Sequence, residues 1–391
     1  MSPSRTALIA GAGIGGLAAA IALAKAGIRS IVLERDATPD TSGAGIQLSP
    51  NATRALASLG VLDAVTARSV EPHELIVANA LSGATLATMS LGETMRRNFH
   101  SPYLVCLRAD LHEALASVAK NNAAIELRYG CVLRDFASRD DGVTAQCENG
   151  GHAQEIAGDA LIGADGIRST VREKLFRGAP ARHGGMAAWR ATIPLASLPA
   201  IHGRDAVRVW LGPGGHLVHY PVGDGSLINL VAVAEDSRAT QSWGEENSAA
   251  DVLARFASWH ETPRAIVAAA QEYRRWSLFE APLLPSWSKE AVTLLGDAAH
   301  GMFPFVAQGA AAALEDAVAL GEILQDTDDI PHALRAYEHR RKPRTTQIQS
   351  SARNIGRIYH MPRPFSFGRD MVMRQIGGEG LLRQNAWIYR G

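Results

Sequence analysis

The first 34 residues carry the pattern that most constrains the fold. An apolar run at Thr6–Ala10 predicts a buried strand, which leads into the glycine-rich segment Gly11-Ala-Gly-Ile-Gly-Gly16. An alanine-rich helical stretch follows, and a second apolar run, Ser30–Leu33, ends at Glu34. The periodicity changes from strand to helix and back within about 30 residues, which predicts one β-α-β unit of a parallel sheet.

The three glycines of this G-x-G-x-x-G pattern have different tasks. Gly11 makes the tight turn, Gly13 lets a pyrophosphate approach the backbone, and Gly16 lets helix and strand pack closely. The helix N-terminus offers amide groups and a partial positive charge to the phosphates. Glu34 can accept hydrogen bonds from a ribose hydroxyl, and we include the adjacent Arg35 among the cofactor-binding candidates. This unit predicts a site for FAD or NAD.

Composition narrows the class of protein. At 391 residues the chain is too long for one ordinary domain, so we expect two lobes. Lysine plus arginine equals aspartate plus glutamate at 39 each, which argues against nucleic acid as a partner. The three cysteines form no C-x-x-C pair and lie near no histidine at metal-ligand spacing, so we expect no metal and a cytoplasmic protein. No apolar stretch reaches the roughly 20 residues of a membrane helix.

The rest of the chain alternates between two patterns. Short runs at Ala160–Gly163 and Ala291–Leu295 predict further strands of the parallel sheet, whereas runs between 187 and 233, separated by turn signals, predict an antiparallel sheet. A helix is expected at Gly309–Leu324, and Pro331 opens another that Pro343 should end or kink. We therefore expect a discontinuous cofactor domain at 1–70, 102–182 and 274–350, a substrate domain at 71–101 and 183–273, and a C-terminal helical segment at 351–391.

Three later segments resemble one family. They are Leu295-Gly-Asp-Ala-Ala-His300 with Pro304 and Gly309, then Gly163-Ala-Asp-Gly166 with Ser169 and Arg172, and Arg108-Ala-Asp-Leu-His-Glu-Ala-Leu115. Together with the N-terminal glycines, they resemble the motifs of the class A flavoprotein hydroxylases, and the glycine motif, the Gly163 segment and the Leu295 segment follow one another along the chain in the order of that family. The resemblance implies an α/β fold, in which a Rossmann-like three-layer FAD-binding domain carries an inserted β-sheet substrate domain.

The resemblance also implies a reaction. NADH or NADPH reduces non-covalently bound FAD, and the reduced flavin adds O2 to give a C4a-hydroperoxide that hydroxylates a small aromatic ring. The segment from Gly215 to Pro221, with Asn229, resembles the salicylate and 3-hydroxybenzoate hydroxylase branch, as does the ending Trp387-Ile-Tyr389. The Ala307-Gln-Gly-Ala310 turn resembles the 6-hydroxynicotinate branch. A hydroxybenzoate- or hydroxypyridine-like substrate is therefore expected.

Individual cofactor contacts follow from the same resemblance. Asp297, after a strand, would bind a ribityl hydroxyl, and Arg108 would contact the flavin side. The helix beginning near Gly309 and Ala310 would direct its N-terminus at the flavin pyrimidine. Pro304 would bend the chain beside the isoalloxazine.

Two further assignments leave alternatives open. Asp165 would contribute to cofactor and nicotinamide contacts, or it would only form an Asx turn. Gln47, after Gly43-Ala-Gly45, would line the other side of the flavin or belong to a plain loop. For His300, which lies near Asp297 in the sequence, we favour a structural role over a catalytic one.

A phenol must lose its proton to become reactive, so a base is expected in the substrate pocket. In a strand, residues four apart share a face, which places His216 with Tyr220 and turns His219 to the other side. We predict that His216 and Tyr220 recognise the substrate and assist its deprotonation, and that His219 faces solvent. The competing interpretation makes His216 an ordinary sheet residue.

Two other functions remain open from the residues alone. One is an FAD oxidoreductase of the same fold acting on a non-aromatic substrate, and the other is a flavin-binding regulatory protein without turnover. The expected partners are the aromatic substrate, O2 and NAD(P)H, and the expected assembly is a monomer or a homodimer.

Overall fold

A computed structural model of the chain describes residues 5–38, 44–139, 141–176, 180–198, 205–240 and 244–391. Gly43, named above with Gln47, lies outside these ranges.

The described strands, in chain order, are β1 (Thr6–Ala10), β2 (Arg29–Glu34), β3 (Gly45–Leu48), β4 (Glu74–Asn79), β5 (Thr85–Ser90), β6 (Leu104–Leu107), β7 (Ile125–Tyr129), β8 (Cys131–Arg139), β9 (Gly142–Asn149), β10 (His152–Gly158), β11 (Ala160–Gly163), β12 (Arg182–Pro194), β13 (Ala206–Gly212), β14 (Gly215–Val222), β15 (Leu227–Glu235), β16 (Glu245–Ser248), β17 (Glu272–Glu280), β18 (Ser288–Lys289) and β19 (Val292–Leu294). The described α-helices are α1 (Ile14–Lys25), α2 (Pro50–Leu59), α3 (Leu62–Thr66), α4 (Gly92–Phe99), α5 (Arg108–Lys120), α6 (Thr170–Phe176), α7 (Ala249–Arg255), α8 (Glu261–Ala268), α9 (Asp297–His300), α10 (Gly309–Gln325), α11 (Ile330–Tyr359) and α12 (Phe365–Arg390).

The first sheet has the strand order β18-β19-β11-β1-β2-β7 and is parallel except at β18. Its strands are almost continuously apolar because both faces are covered, one by α1 and α5 and the other by the three-stranded sheet β10-β9-β8. Helix α1 is buried along nearly its whole length. Small residues let α10 approach it closely, since a Cβ on Gly321 would lie 2.9 Å from that of Ala22. The predicted β-α-β unit and the helix start at Gly309 are confirmed.

The second sheet has the order β16-β17-β12-β15-β14-β13-β4-β5 and is antiparallel except between β13 and β4. Its strands come from residues 74–90 and 182–280, and they form a separate layer with its own core. One face packs against α7 and α8 through apolar residues that include Trp210 and Trp259. The other face turns toward α12 and the 3₁₀ turn Pro304–Val306. Both faces are thus covered.

The prediction that His219 faces solvent is wrong. Its side chain is buried, and the Nε1 of Trp210 donates a hydrogen bond to its Nε2 over 3.2 Å. Strand alternation correctly placed His219 on the face opposite His216. The pattern did not show that helices α7 and α8 bury that face. Because this inserted sheet is packed on both sides, it lacks the solvent-exposed face that many antiparallel sheets have.

Pro343 was predicted to end or kink its helix, and the first of these outcomes is wrong. Helix α11 continues through Pro343 to Tyr359, so proline neither ends it nor marks a boundary. A proline removes one backbone hydrogen bond, and here packing of the flanking turns against α10 outweighs that loss. The helix crosses the predicted domain limit at 350/351, and β17 crosses the one at 273/274. The domain limits stay a prediction.

A buried ionic cluster joins α10 to α11. Asp316 accepts hydrogen bonds from His300 Nε2 over 2.6 Å and from Arg341 Nε over 2.7 Å. Glu315 contacts Arg341 and Arg344, and Arg344 also donates to the carbonyl oxygens of Trp387 and Ile388. The cluster therefore holds the C-terminal end of α12 against α11. His300 is bound into this cluster, which supports its structural interpretation.

Because of this cluster, we expect the free energy of unfolding to decrease at acid pH. Burial opposes ionisation of Asp316, but the charges of His300 and Arg341 outweigh it and hold its pKa at about 2. In the unfolded chain this carboxyl has a pKa near 4, so its lower pKa in the folded protein stabilises the fold by about 2 kcal/mol at a pH above 4. This contribution is lost as the pH falls from about 4 to 2. Asp316→Asn should remove this component and, at pH 7, cost about 3–5 kcal/mol by breaking a buried pair.

Urea unfolding at pH 7 and between pH 4 and 2.5 measures both effects. Glu322→Gln is the matched control, because its ion pair with Arg340 joins the same two helices but is half-exposed. That variant should change stability by less than about 1 kcal/mol. An Asp316→Asn protein with the wild-type acid dependence contradicts the assignment.

Within the described ranges, no helix combines the length and the apolar character needed to cross a membrane.

Candidate active site

The glycine-rich turn is closed by contacts within the protein. Gly11 has a φ of 99°, and a Cβ there would lie 2.6 Å from the Ala164 carbonyl oxygen. A Cβ on Gly16 would overlap with the Gly11 carbonyl oxygen. The Ala12 amide donates to Glu34 Oε2 over 2.7 Å. Gly11, Gly16 and Glu34 thus lie together and shape the turn without any ligand. Arg35 is beside them, exposed, with an ion pair of 3.4 Å to Asp36.

Gly13 and Gly309 differ from these glycines. Gly13 has an ordinary φ of −71°, and a Cβ there would meet no protein atom within 4 Å. A Cβ on Gly309 would approach only Asp297 Oδ1, at 3.8 Å. Protein packing therefore requires glycine at neither position. Both glycines begin or cap a helix, and both face open space of the kind that a phosphate or a flat ring would occupy.

Carboxylates follow two neighbouring strands of the parallel sheet. Asp165 follows β11, and its Oδ2 accepts from the Val171 amide over 3.1 Å while its buried Oδ1 has no partner. Burial raises the pKa of Asp165. Asp297 follows β19 and begins α9 with an accessible side chain; desolvation by the surrounding protein raises its pKa, and the charges of His300 and Arg108 oppose the rise. Asp297, Arg108 and Gly309 are therefore close together.

A cavity of about 1000 Å³ lies between the eight-stranded sheet and helices α11 and α12. Its lining is mostly apolar, and it includes Gln47, Tyr103, His216 and the turn from Pro304 to Ala307. This turn directly precedes Gly309, so one wall of the cavity adjoins the space beside Asp297. The predicted residues Gln47, His216 and Pro304 thus share one cavity. Nothing in its lining resembles a metal site, and the described residues contain no His/Cys/Asp/Glu cluster of that kind.

His216 is almost completely buried and lines the cavity. Its Nδ1 lies 2.7 Å from Nε2 of His360, and the two rings are stacked with centroids 5.0 Å apart. Phe305 packs edge-on against both imidazoles. Burial, together with the neighbouring His360, lowers the pKa of His216 well below its usual value. The imidazole is therefore neutral around pH 7 and able to accept a proton.

Tyr220 is on the same strand face but has different partners. Gln47 donates a hydrogen bond to its hydroxyl and accepts one from the Tyr103 hydroxyl over 2.7 Å. Four residues of a strand span about 13 Å, so His216 and Tyr220 do not act on each other directly. Gln47 and Tyr103 line the cavity, with Tyr220 behind them. Burial raises the pKa of Tyr220, so its hydroxyl stays protonated.

Comparison with known proteins agrees with this geometry. The family described as FAD binding domain matches residues 4–352. Two relatives named 3-hydroxybenzoate 6-hydroxylase, from Klebsiella oxytoca and Polaromonas naphthalenivorans, are 36% and 38% identical. The alignments cover 100% and 98% of this chain and 97% and 95% of the relatives. A crystal structure of a Klebsiella pneumoniae HpxO variant complexed with FAD superimposes with a TM-score of 0.87, at 25% identity and 99% coverage of both chains.

The chain belongs to the class A flavoprotein hydroxylases. It is an FAD-dependent enzyme, so the flavoprotein without turnover considered above is excluded. The fold expected from the sequence, a Rossmann-like cofactor domain with an inserted β-sheet domain, is confirmed. The open spaces at Gly13 and Gly309 and the unpartnered Asp165 Oδ1 fit an FAD that runs from the glycine-rich turn to the N-terminus of α10.

Three residues of the hydroxylase site carry no recognisable sequence signal for their position. Arg190 on β12 is a half-buried cation near Tyr220 and Arg108; its guanidinium lies over the Trp276 ring, and its Nε has no hydrogen-bond partner. Asn229 on β15 accepts from the Gly45 amide over 2.7 Å, while its buried Nδ2 has no partner. His360 contacts His216 from 144 residues away. Asn229 was predicted only through a resemblance, and Arg190 and His360 were not predicted at all.

Asp297→Ala tests the cofactor assignment in the hydroxylase. Its carboxylate has no structural partner comparable to the cluster around Asp316, so the variant should fold. Loss of one charge-assisted hydrogen bond to the ribityl chain costs about 1.5–3 kcal/mol, or about ten- to a hundredfold in FAD affinity. Fluorescence titration of the apoprotein with FAD measures this change. A folded variant that binds FAD as tightly as the wild type contradicts the role.

Proposed function

We propose that this flavoprotein hydroxylates a small phenolic acid of the 3-hydroxybenzoate type, using NADH or NADPH and O2. One observation carries the proposal: a single apolar cavity contains both a neutral buried histidine, His216, and the turn that leads into the flavin motif at Gly309. A phenol placed there meets a proton acceptor at one end and the cofactor space at the other. The names of the two bacterial relatives support the same substrate class.

The cofactor supplies the redox chemistry, since reduced FAD activates O2 for transfer of one oxygen atom to the ring. The protein positions the substrate, provides charged groups and excludes water from the site. His216 accepts the hydroxyl proton at Nε2, because its Nδ1 is engaged by His360. Gln47, which lies between Tyr103 and Tyr220, orients the substrate ring from the end of β14 that carries Tyr220. The half-buried cations Arg108 and Arg190 favour anions in this region, which include a carboxylate and a reduced flavin.

The cavity also limits wasteful chemistry. Its lining from β4, β5, β13 and α12 is mostly apolar, with Arg369, Gln384 and Asn385 of α12 as exceptions, which limits the access of water to the reacting oxygen. Its volume lies at the upper end of the roughly 300–1,000 Å³ typical of ligand pockets, so rings with additional substituents fit as well. Hydroxybenzoates that bear apolar substituents therefore belong in the substrate screen.

The test is substrate-stimulated NAD(P)H oxidation by the FAD-loaded enzyme with hydroxybenzoates and hydroxypyridines. Product is identified by mass spectrometry under ¹⁸O2. We expect one labelled oxygen atom in the ring of a hydroxybenzoate. The alternative, an FAD oxidoreductase of the same fold with a non-aromatic substrate, predicts no labelled ring product from any compound of the panel.

We further propose that the domain limits given above separate the cofactor and substrate functions, and that the protein is cytoplasmic and a monomer or homodimer. Three buried, unpaired cysteines, Cys106, Cys131 and Cys147, suit a reducing compartment. Cell fractionation and light scattering test the location and the assembly.

A further inference from the structure

In the function described so far, His360 only engages Nδ1 of the proposed base, yet its position allows more. It caps the C-terminal end of α11, and its Nε2 lies 2.7 Å from Nδ1 of His216. His216 lines the cavity, whereas His360 is not among the lining residues and is partly exposed. Two imidazoles thus connect the cavity to the surface.

The pair is held firmly in this arrangement. The Phe305 ring packs edge-on against both imidazoles, and Tyr359 packs against His216. The backbone carbonyl of His360 accepts a hydrogen bond of 3.2 Å from the Gly214 amide, next to the start of β14. The helix end and the strand therefore fix each other, and the nitrogen-to-nitrogen contact does not depend on a mobile side chain.

A relay solves a problem that His216 alone leaves open. A phenol has a pKa of about 10, so transfer of its proton to an imidazole is uphill. Burial and His360 lower the pKa of His216 further. Burial and the nearby Arg369 lower the pKa of His360 to about 4. Arg369 is paired with Asp370 on α12, at 2.7 Å. A proton does not rest on either imidazole, and it must move onward to bulk water.

We propose that His360 is the second member of a two-imidazole relay that carries the substrate hydroxyl proton from His216 to solvent. This proposal rests on the proposed function. In the resting pair, Nδ1–H of His216 donates to Nε2 of His360. As the substrate O–H bond breaks, Nε2 of His216 takes its proton and Nδ1 passes its own to His360. His360 then releases its Nδ1 proton to water, which leaves a bound phenolate and two neutral imidazoles.

The first test is proton release without turnover. The FAD-loaded enzyme is mixed anaerobically with 3-hydroxybenzoate in weak buffer containing a pH indicator. Wild type should release one proton on binding, while His360→Gln, which keeps a hydrogen-bond acceptor but cannot pass a proton, should release it at least about tenfold more slowly. Added imidazole should restore part of the rate in His360→Ala. His219→Gln, altered at a buried histidine on the opposite face, should behave as wild type.

The second measurement separates a relay from a structural role. His360→Gln should retain the wild-type rate of flavin reduction by NAD(P)H, whereas its slower phenolate formation should still show a solvent isotope effect, because the substrate O–H bond breaks in that step. Wild-type proton release in His360→Gln overturns the relay. Equal losses in flavin reduction and hydroxylation, without imidazole rescue, also overturn it. If the wild type itself hydroxylates no phenol, the proposed function fails and the relay fails with it.

Discussion

Replacing Gly13 with valine is expected to abolish FAD binding and to leave a folded protein. A side chain at Gly13 meets no protein atom within 4 Å, and the residue has an ordinary backbone conformation. The valine would instead occupy the space in which the pyrophosphate contacts the N-terminus of α1. Loss of two charge-assisted hydrogen bonds to the phosphates costs about 3–6 kcal/mol, which is about 10²- to 10⁴-fold in affinity.

Gly11 provides the matched comparison. Its φ of 99° and its contact with the Ala164 carbonyl make alanine there a cost to the fold itself. Gly11→Ala should therefore lower the unfolding temperature of the apoprotein, whereas Gly13→Val should leave it nearly unchanged. Flavin absorbance after gel filtration and thermal unfolding of the apoproteins measure the two effects. Gly13→Val protein that elutes yellow, with FAD bound, would falsify the proposed position of the pyrophosphate.

These two glycines also show how far the sequence leads. The β-α-β unit is local, and its turn, helix and acidic residue are set within 34 residues by glycine conformation and apolar periodicity. The start of α10 at Gly309 and the contact between its N-terminus and Asp297 were predictable for the same reason, since the motif is contiguous. Each of these features depends on neighbours in the chain.

The substrate side was less predictable because its contacts are long-range. Strand alternation placed His216 and Tyr220 on one face correctly, but it could not show that Gln47 and Tyr103 lie in front of Tyr220. It could not show that His360, from the end of α11, meets His216. The error at His219 has the same origin, since burial of its face depends on helices that follow it by 30 residues or more.

His216→Ala is expected to separate oxygen transfer from NAD(P)H consumption. FAD binding should be unaffected, because no residue of the glycine-rich turn lines the cavity of His216, which contacts Phe305, Tyr359 and His360. Flavin reduction should also continue, since it requires no base for the phenol. Hydroxylation should fall by roughly 10²–10⁴, the usual contribution of a positioned acid or base.

The decisive measurement is product formed per NAD(P)H consumed, with H2O2 quantified in parallel. A phenol that keeps its proton is a weaker nucleophile, so the oxygen activated at the flavin should increasingly leave as H2O2. Tyr220→Phe is the comparison: it removes the hydroxyl that accepts from Gln47 but leaves the base in place. It should raise KM more than it lowers the hydroxylation rate, because Gln47 loses one of its two anchors. Wild-type rate and coupling in His216→Ala would make His216 a sheet residue, and the base would then have to lie elsewhere along the cavity.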